Sequence, residues 1–132
     1  MDAGNVVVGR LDRIRWAMRR TGFYSPGSKG SLTDWTHSAT FLYFGLRPDW
    51  GLDKSNLNGA CIAFDTSREA GRLLAAEWAR LALIREAIAP EGSDRTNHRQ
   101  DQALLSVLAH RAGLVQGMPS RYLGFKIHRD ID

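Results

Sequence analysis

The stretch "TNHRQDQALLSVLAHRAG", residues 96–113, constrains this chain more than any other. Its apolar residues recur at helical spacing, which requires a helix with one face against a core. At about 100° per residue from Leu104, the stripe takes in Leu108 at about 40°, Ala112 at about 80° and Leu105 at about 100°. Asp101 falls inside that stripe at about 60°, His98 lies on its edge at about 120°, and Arg99 points away. A carboxylate aimed the same way as the leucines is costly to bury without partners. It calls for backbone N–H groups, a cation, or a place at the mouth of a cleft. The plainest account is an acid complementing the helix dipole, worth about 0.3–1 kcal/mol. The same partial charges favour a polar ligand.

The neighbouring segments follow from the same reading. Asn97 with Gln100 has capping-box spacing and Gly113 is a stop, so a helix is predicted over 97–113. Thr66 and Glu69 open a second helix over 67–88, ended before Pro90. Its stripe of Ala70, Leu73, Leu74, Trp78, Leu81, Ile84 and Ile88 contains Glu77, for which an arginine partner is the simplest account. "RLDRIRWAMRRTG" predicts a helix over 10–22 stopped by Gly22, and 36–45 a short one capped by Asp34 or Thr36. Strands are predicted at 5–8, 59–64 and 121–128, with the Gly/Pro/Ser-rich 23–35 and the stretch 47–58 as loops. The order β-α-loop-α-β-α-α-β is an α/β pattern in a single domain spanning 1–132. A strand only four residues into the chain, already feeding a helix, reads as the middle of a fold and predicts that part of the sheet is missing.

Composition narrows the function classes. Hydrophobic residues at 43% with 24% charged describe a globular chain rather than a disordered one. The single cysteine, Cys61, excludes an internal disulfide and any CxxC zinc or redox motif. No signal peptide or membrane span is legible, which predicts a cytoplasmic protein, peripheral to a membrane at most. Fifteen of the 18 basic residues are arginine and the net charge is +4, which permits anionic partners.

Three segments together resemble GT-A-fold glycosyltransferases of the glycogenin-like kind and their poorly characterised relatives. "HRQDQALLSVL" resembles the helix opening in which an Asp-Gln pair precedes the leucines. "LNGACIAFDTSREAGRLLAAEW" looks like their Asn-x-Gly-hydrophobic strand followed by a long helix, and "MDAGNVV" is similar to their metal-binding segment. The likeness covers most of the chain. It implies a partial GT-A sheet with flanking helices, the C-terminal portion of the domain, without its N-terminal βα units.

The resemblance also implies roles. Asp2 would help hold a divalent metal, Mn or Mg, against the diphosphate of a nucleotide-sugar donor. Gly4 stands where many relatives place a second acid, so Asn5, His98 or His128 would have to complete the set. Asn58 and Gly59 would line the sugar pocket together with His98. Asp101 and Gln102 would contact the transferred sugar near its reacting carbon, Asp101 orienting a hydroxyl or acting as a base. The Gly-rich loop 25–33, with Lys29, would fold over the donor, and Trp35, His37 and Trp50 stand either as an acceptor platform or as packing aromatics. Glycosyl transfer develops positive charge on the sugar as a diphosphate leaves, so carboxylate and amide oxygens suit that position.

Two other readings stay open on the residues alone. One is a non-catalytic sugar- or partner-binding fragment, in which apolar edges left by absent strands favour a homo-oligomer. The other is nucleic-acid binding through Arg10, Arg13, Arg15, Arg19 and Arg20, which lacks any groove-reading motif and is disfavoured.

Overall fold

Seven consecutive residues, 103–109, are buried in the computed structural model, which describes residues 5–115 and 124–126. They form the middle of α5 (Gln100–Arg111), so this helix is not the one-sided element that its spacing predicts. A helix apolar on every side belongs at the centre of a fold. Leu104, Leu105 and Leu108 join Leu74, Leu81, Ala87 and Phe23 in the main core, while Val107 points into a separate cluster with Leu32 and Phe41. Fully burying each of these leucines stabilises the fold by roughly 1.5–3 kcal/mol. Ser106, the polar member of the run, is tolerated because its hydroxyl is hydrogen-bonded.

The other elements are arranged around α5. In chain order they are β1 (Val6–Val7), α1 (Asp12–Thr21), β2 (Phe23–Tyr24), β3 (Gly27–Ser31), α2 (Ser38–Tyr43), β4 (Ser55–Leu57), β5 (Ala63–Phe64), α3 (Glu69–Leu81) and α4 (Arg85–Ile88). After α5 comes β6 (Phe125–Lys126). α3, α4 and β4 all pack on α5, while α1 lies on β2 and β5. The chain is thus a mixed α/β protein. Its described strands form three two-stranded antiparallel ladders, β1 with β6, β2 with β5 and β3 with β4. None of the described helices is long and apolar enough to cross a membrane.

Helix α1 ends where predicted. Gly22 adopts a left-handed φ of 79° and its N–H bonds the Met18 carbonyl. The same glycine meets Gly71 of α3 so closely that a Cβ on Gly71 would lie 2.2 Å from the Gly22 carbonyl oxygen. Two glycines, far apart in sequence, let α1 and α3 touch through backbone.

Several expectations are corrected. The glycines and proline of 23–35 do not leave a loop: β2 and β3 lie there, because partners distant in sequence supply the ladder (Phe23 with Phe64, Gly27 with Leu57). The strand predicted at 59–64 is confined to Ala63–Phe64, and the stretch 47–58 contains β4 instead. The helix predicted over 67–88 breaks after Leu81. Ile84 is extended (φ −107°, ψ 110°), which leaves Leu83 88% exposed and returns Ala87 to the core. No glycine or proline marks that break.

The predicted caps also differ. Arg68 and Arg99 occupy the N-cap positions of α3 and α5 without side-chain capping bonds. Asn97 instead accepts the Asp94 N–H at 2.9 Å and ties the preceding loop to itself. His37, rather than Asp34 or Thr36, caps α2, its Nδ1 accepting the Ala39 N–H at 3.3 Å. Of the strand predicted at 121–128, Phe125–Lys126 is seen as β6, while 121–123 and 127–128, with His128, lie outside the described residues.

Candidate functional site

The polar first turn of α5 meets the turn that follows β4. Ser106 makes this junction. Its Oγ accepts the Leu57 N–H at 3.0 Å, and its proton lies between the Gln102 carbonyl at 2.8 Å and Asn56 Oδ1 at 3.3 Å. Both Asn56 and Leu57 are almost completely buried. One hydroxyl therefore staples β4 to α5, and the chain emerging from β4 is delivered onto the helix.

Asn58 and Gly59 are the residues delivered. Asn58 folds into a tight turn, its Oδ1 accepting the Ala60 N–H at 2.8 Å, while its N–H donates to the Pro26 carbonyl and its carbonyl accepts from Ser25 Oγ. Gly59 comes against Gln102, donating its N–H to Oε1 at 3.3 Å. A Cβ there would stand 3.1 Å from the Gln102 Cβ, so glycine permits the approach. Asn5 holds the far side of the turn through Nδ2 and the Ala60 carbonyl, at 2.6 Å.

Asp101 stands beside this corner, exposed to solvent. The expectation of a carboxylate inside a buried stripe is thus corrected: the buried run begins only at Ala103, two residues later. Its Oδ1 accepts the Gln102 N–H at 2.9 Å, and its backbone carbonyl accepts the Trp78 indole N–H at 3.1 Å. Trp78 packs on Phe64, with ring centroids 6.1 Å apart, and its indole links the corner to the core. The neighbouring Gln100 has a φ of 41°, a left-handed conformation that side chains seldom adopt. The corner thus offers a carboxylate, a carboxamide and turn backbone, a set suited to hydrogen-bonding hydroxyl groups.

The other expected residues fall elsewhere. His98 is turned inward at 1% exposure, with Nδ1 accepting the His37 N–H at 3.1 Å and Nε2 donating to the Ile88 carbonyl at 2.7 Å. Burial pushes its pKa below the usual histidine value, and the neutral ring is the form these two bonds need. Both nitrogens serve the fold, which corrects its expected place among substrate contacts. Lys29 is exposed on β3, so the middle of the loop expected to fold over the donor is a strand paired with β4. The Lys29 carbonyl accepts the Trp35 indole N–H at 2.8 Å, and the Arg99 guanidinium lies 4.2 Å over the Trp35 ring.

Trp50 packs against Phe41 and His110, and His37 caps α2, so both act in packing rather than as a platform. Glu77 has its arginine: Arg80 bonds both carboxylate oxygens, at 2.8 and 2.7 Å, holding the Glu77 pKa down. Asp2 lies outside the described residues. Among the described residues no group of three His, Cys, Asp or Glu side chains converges to hold a metal ion.

Sequence reasoning missed Ser106, Asn56 and the Trp35–Arg99 stack. A serine amid a buried apolar run was the signal for the first. No family model matches the chain, and no curated protein or solved structure is significantly similar to it.

Proposed function

We propose that the corner formed by Asn58, Gly59, Asp101 and Gln102 is the sugar-facing site of a glycosyltransferase of GT-A type, acting on a nucleotide-sugar donor. One observation supports it above the rest. Two of the three segments that carry the resemblance meet through the Gly59 N–H and Gln102 Oε1, 43 residues apart. On this reading the chain carries a partial GT-A sheet with flanking helices. Asp101 orients a sugar hydroxyl or takes its proton, and the Gln102 amide stays with the turn. A divalent metal, Mn or Mg, would neutralise the donor diphosphate with Asp2 among its ligands.

A second reading, sugar binding without transfer, is favoured by the two occupied nitrogens of His98, which leave it unable to complete a metal set with Asp2. The test is release and transfer of sugar from a panel of nucleotide sugars with Mg or Mn present. The transferase reading expects turnover that Asp101→Asn abolishes while the fold is kept. Turnover unchanged by that substitution removes Asp101 from the chemistry. Binding without turnover selects the second reading.

A further inference from the structure

We propose that the outer face of α1, together with β1, docks on an anionic phospholipid surface. Between residues 10 and 21 the chain has five arginines and one acid, Asp12. Asp12 is engaged by Arg10 at 2.6 Å. Among the described residues no carboxylate pairs with Arg13, Arg15, Arg19 or Arg20, and all four are exposed. Ile14 and Ala17 bury the opposite face of the helix, so these cations all point outward. Trp16 lies among them, 52% exposed, with the Arg20 guanidinium 4.8 Å over its ring.

The apolar component is next to the charge. Val6, Val7 and Val8 are 54%, 49% and 64% exposed, a run of side chains that water alone does not favour. Two open depressions connect it to the helix. One, about 740 Å³, runs from Val8 through Arg10, Arg13 and Lys126; the other, about 440 Å³, runs from Arg13 to Trp16 and Arg19. They share Asp12 and Arg13, so the surface is continuous from Val8 to Trp16.

Apolar side chains with an interfacial tryptophan and flanking arginines match the boundary between phosphate headgroups and acyl chains. A nucleic acid would use the cations but gain nothing from three valines, and the Trp16 face is already covered by Arg20. The proposal is independent of the sugar-site reading, because none of these residues belongs to that corner.

The test is cosedimentation of the whole chain with phosphatidylcholine vesicles, with and without phosphatidylserine. Binding is expected only to the anionic vesicles. Each cation near such a surface contributes about fivefold, so Arg15→Gln with Arg19→Gln should weaken binding by roughly thirtyfold. Val7→Ser with Val8→Ser should also weaken it, with the helical circular dichroism of both variants unchanged. No binding to anionic vesicles would overturn the proposal. So would binding that both variants leave intact, or retention on duplex DNA in place of vesicles.

Discussion

Replacing Ser106 by alanine removes one hydroxyl from the centre of α5, and its cost follows from the groups it leaves behind. The Leu57 N–H, in a residue 1% exposed, loses its 3.0 Å acceptor, and Asn56 Oδ1 loses the donor at 3.3 Å. The Gln102 carbonyl lies within the helix and keeps its ladder partner. A buried polar group left without a partner costs about 1–3 kcal/mol, and the long Asn56 contact belongs at the low end of that range. Together the two predict a loss of about 2–4 kcal/mol. Urea unfolding followed by circular dichroism measures it. With a slope of about 2 kcal/mol/M, the midpoint should fall by about 1–2 M. Ser67→Ala, on the exposed Asp65 turn, is the control and should stay within about 0.5 kcal/mol. A Ser106→Ala midpoint as close to wild type as the control's would show that the hydroxyl does not staple β4 to α5.

Other substitutions and conditions test separate parts of the structure. Gly71→Ala places a Cβ 2.2 Å from the Gly22 carbonyl oxygen and 2.5 Å from that of Asp65, backbone atoms that cannot step aside, so stability should fall by about 3 kcal/mol or more. Thermal unfolding reads it, and a near-native Tm would refute the α1–α3 backbone contact. Gln100→Gly relieves the φ of 41° and should stabilise by about 1 kcal/mol in the same assay; a loss would mean that the left-handed conformation is not a source of strain. His98 and His110 are both held below the usual value of 6.5 by burial, so the unfolded chain takes up protons first as pH falls. Stability fully present above about pH 6.5 should therefore decline below it, read as urea midpoints across that range. An unchanged midpoint at pH about 5.5 would contradict two imidazoles held neutral, His98 buried and His110 half-buried.

What the sequence made legible was what local chemistry decides. Gly22 stops α1 because a left-handed C-cap needs no distant partner, and Glu77 finds Arg80 one turn away on its own helix. The existence of α5 was legible too, but not its burial on every side. Spacing reports which residues align, and Val107 and Ser106 are buried by elements brought in from residues 32–57. The β3 strand was illegible for the same reason: its glycines and serines discourage a strand until β4 provides a ladder. The break after Leu81 and the inward turn of His98 likewise depend on tertiary contacts. Within the candidate site, helical spacing singled out Asp101, whereas Asn58, Gly59 and Gln102 came from the resemblance alone. That Gly59 and Gln102 touch is a fact of the fold, made possible by a serine that no motif pointed to.

The most direct measurement is an amide chemical-shift titration of the ¹⁵N-labelled chain with uridine and guanosine diphosphate sugars in the presence of Mg. A sugar-facing corner predicts saturable shifts at Gly59, Asp101 and Gln102, larger with the nucleotide sugar than with the nucleotide alone. Shifts absent from those three amides, or identical with the nucleotide alone, would contradict it.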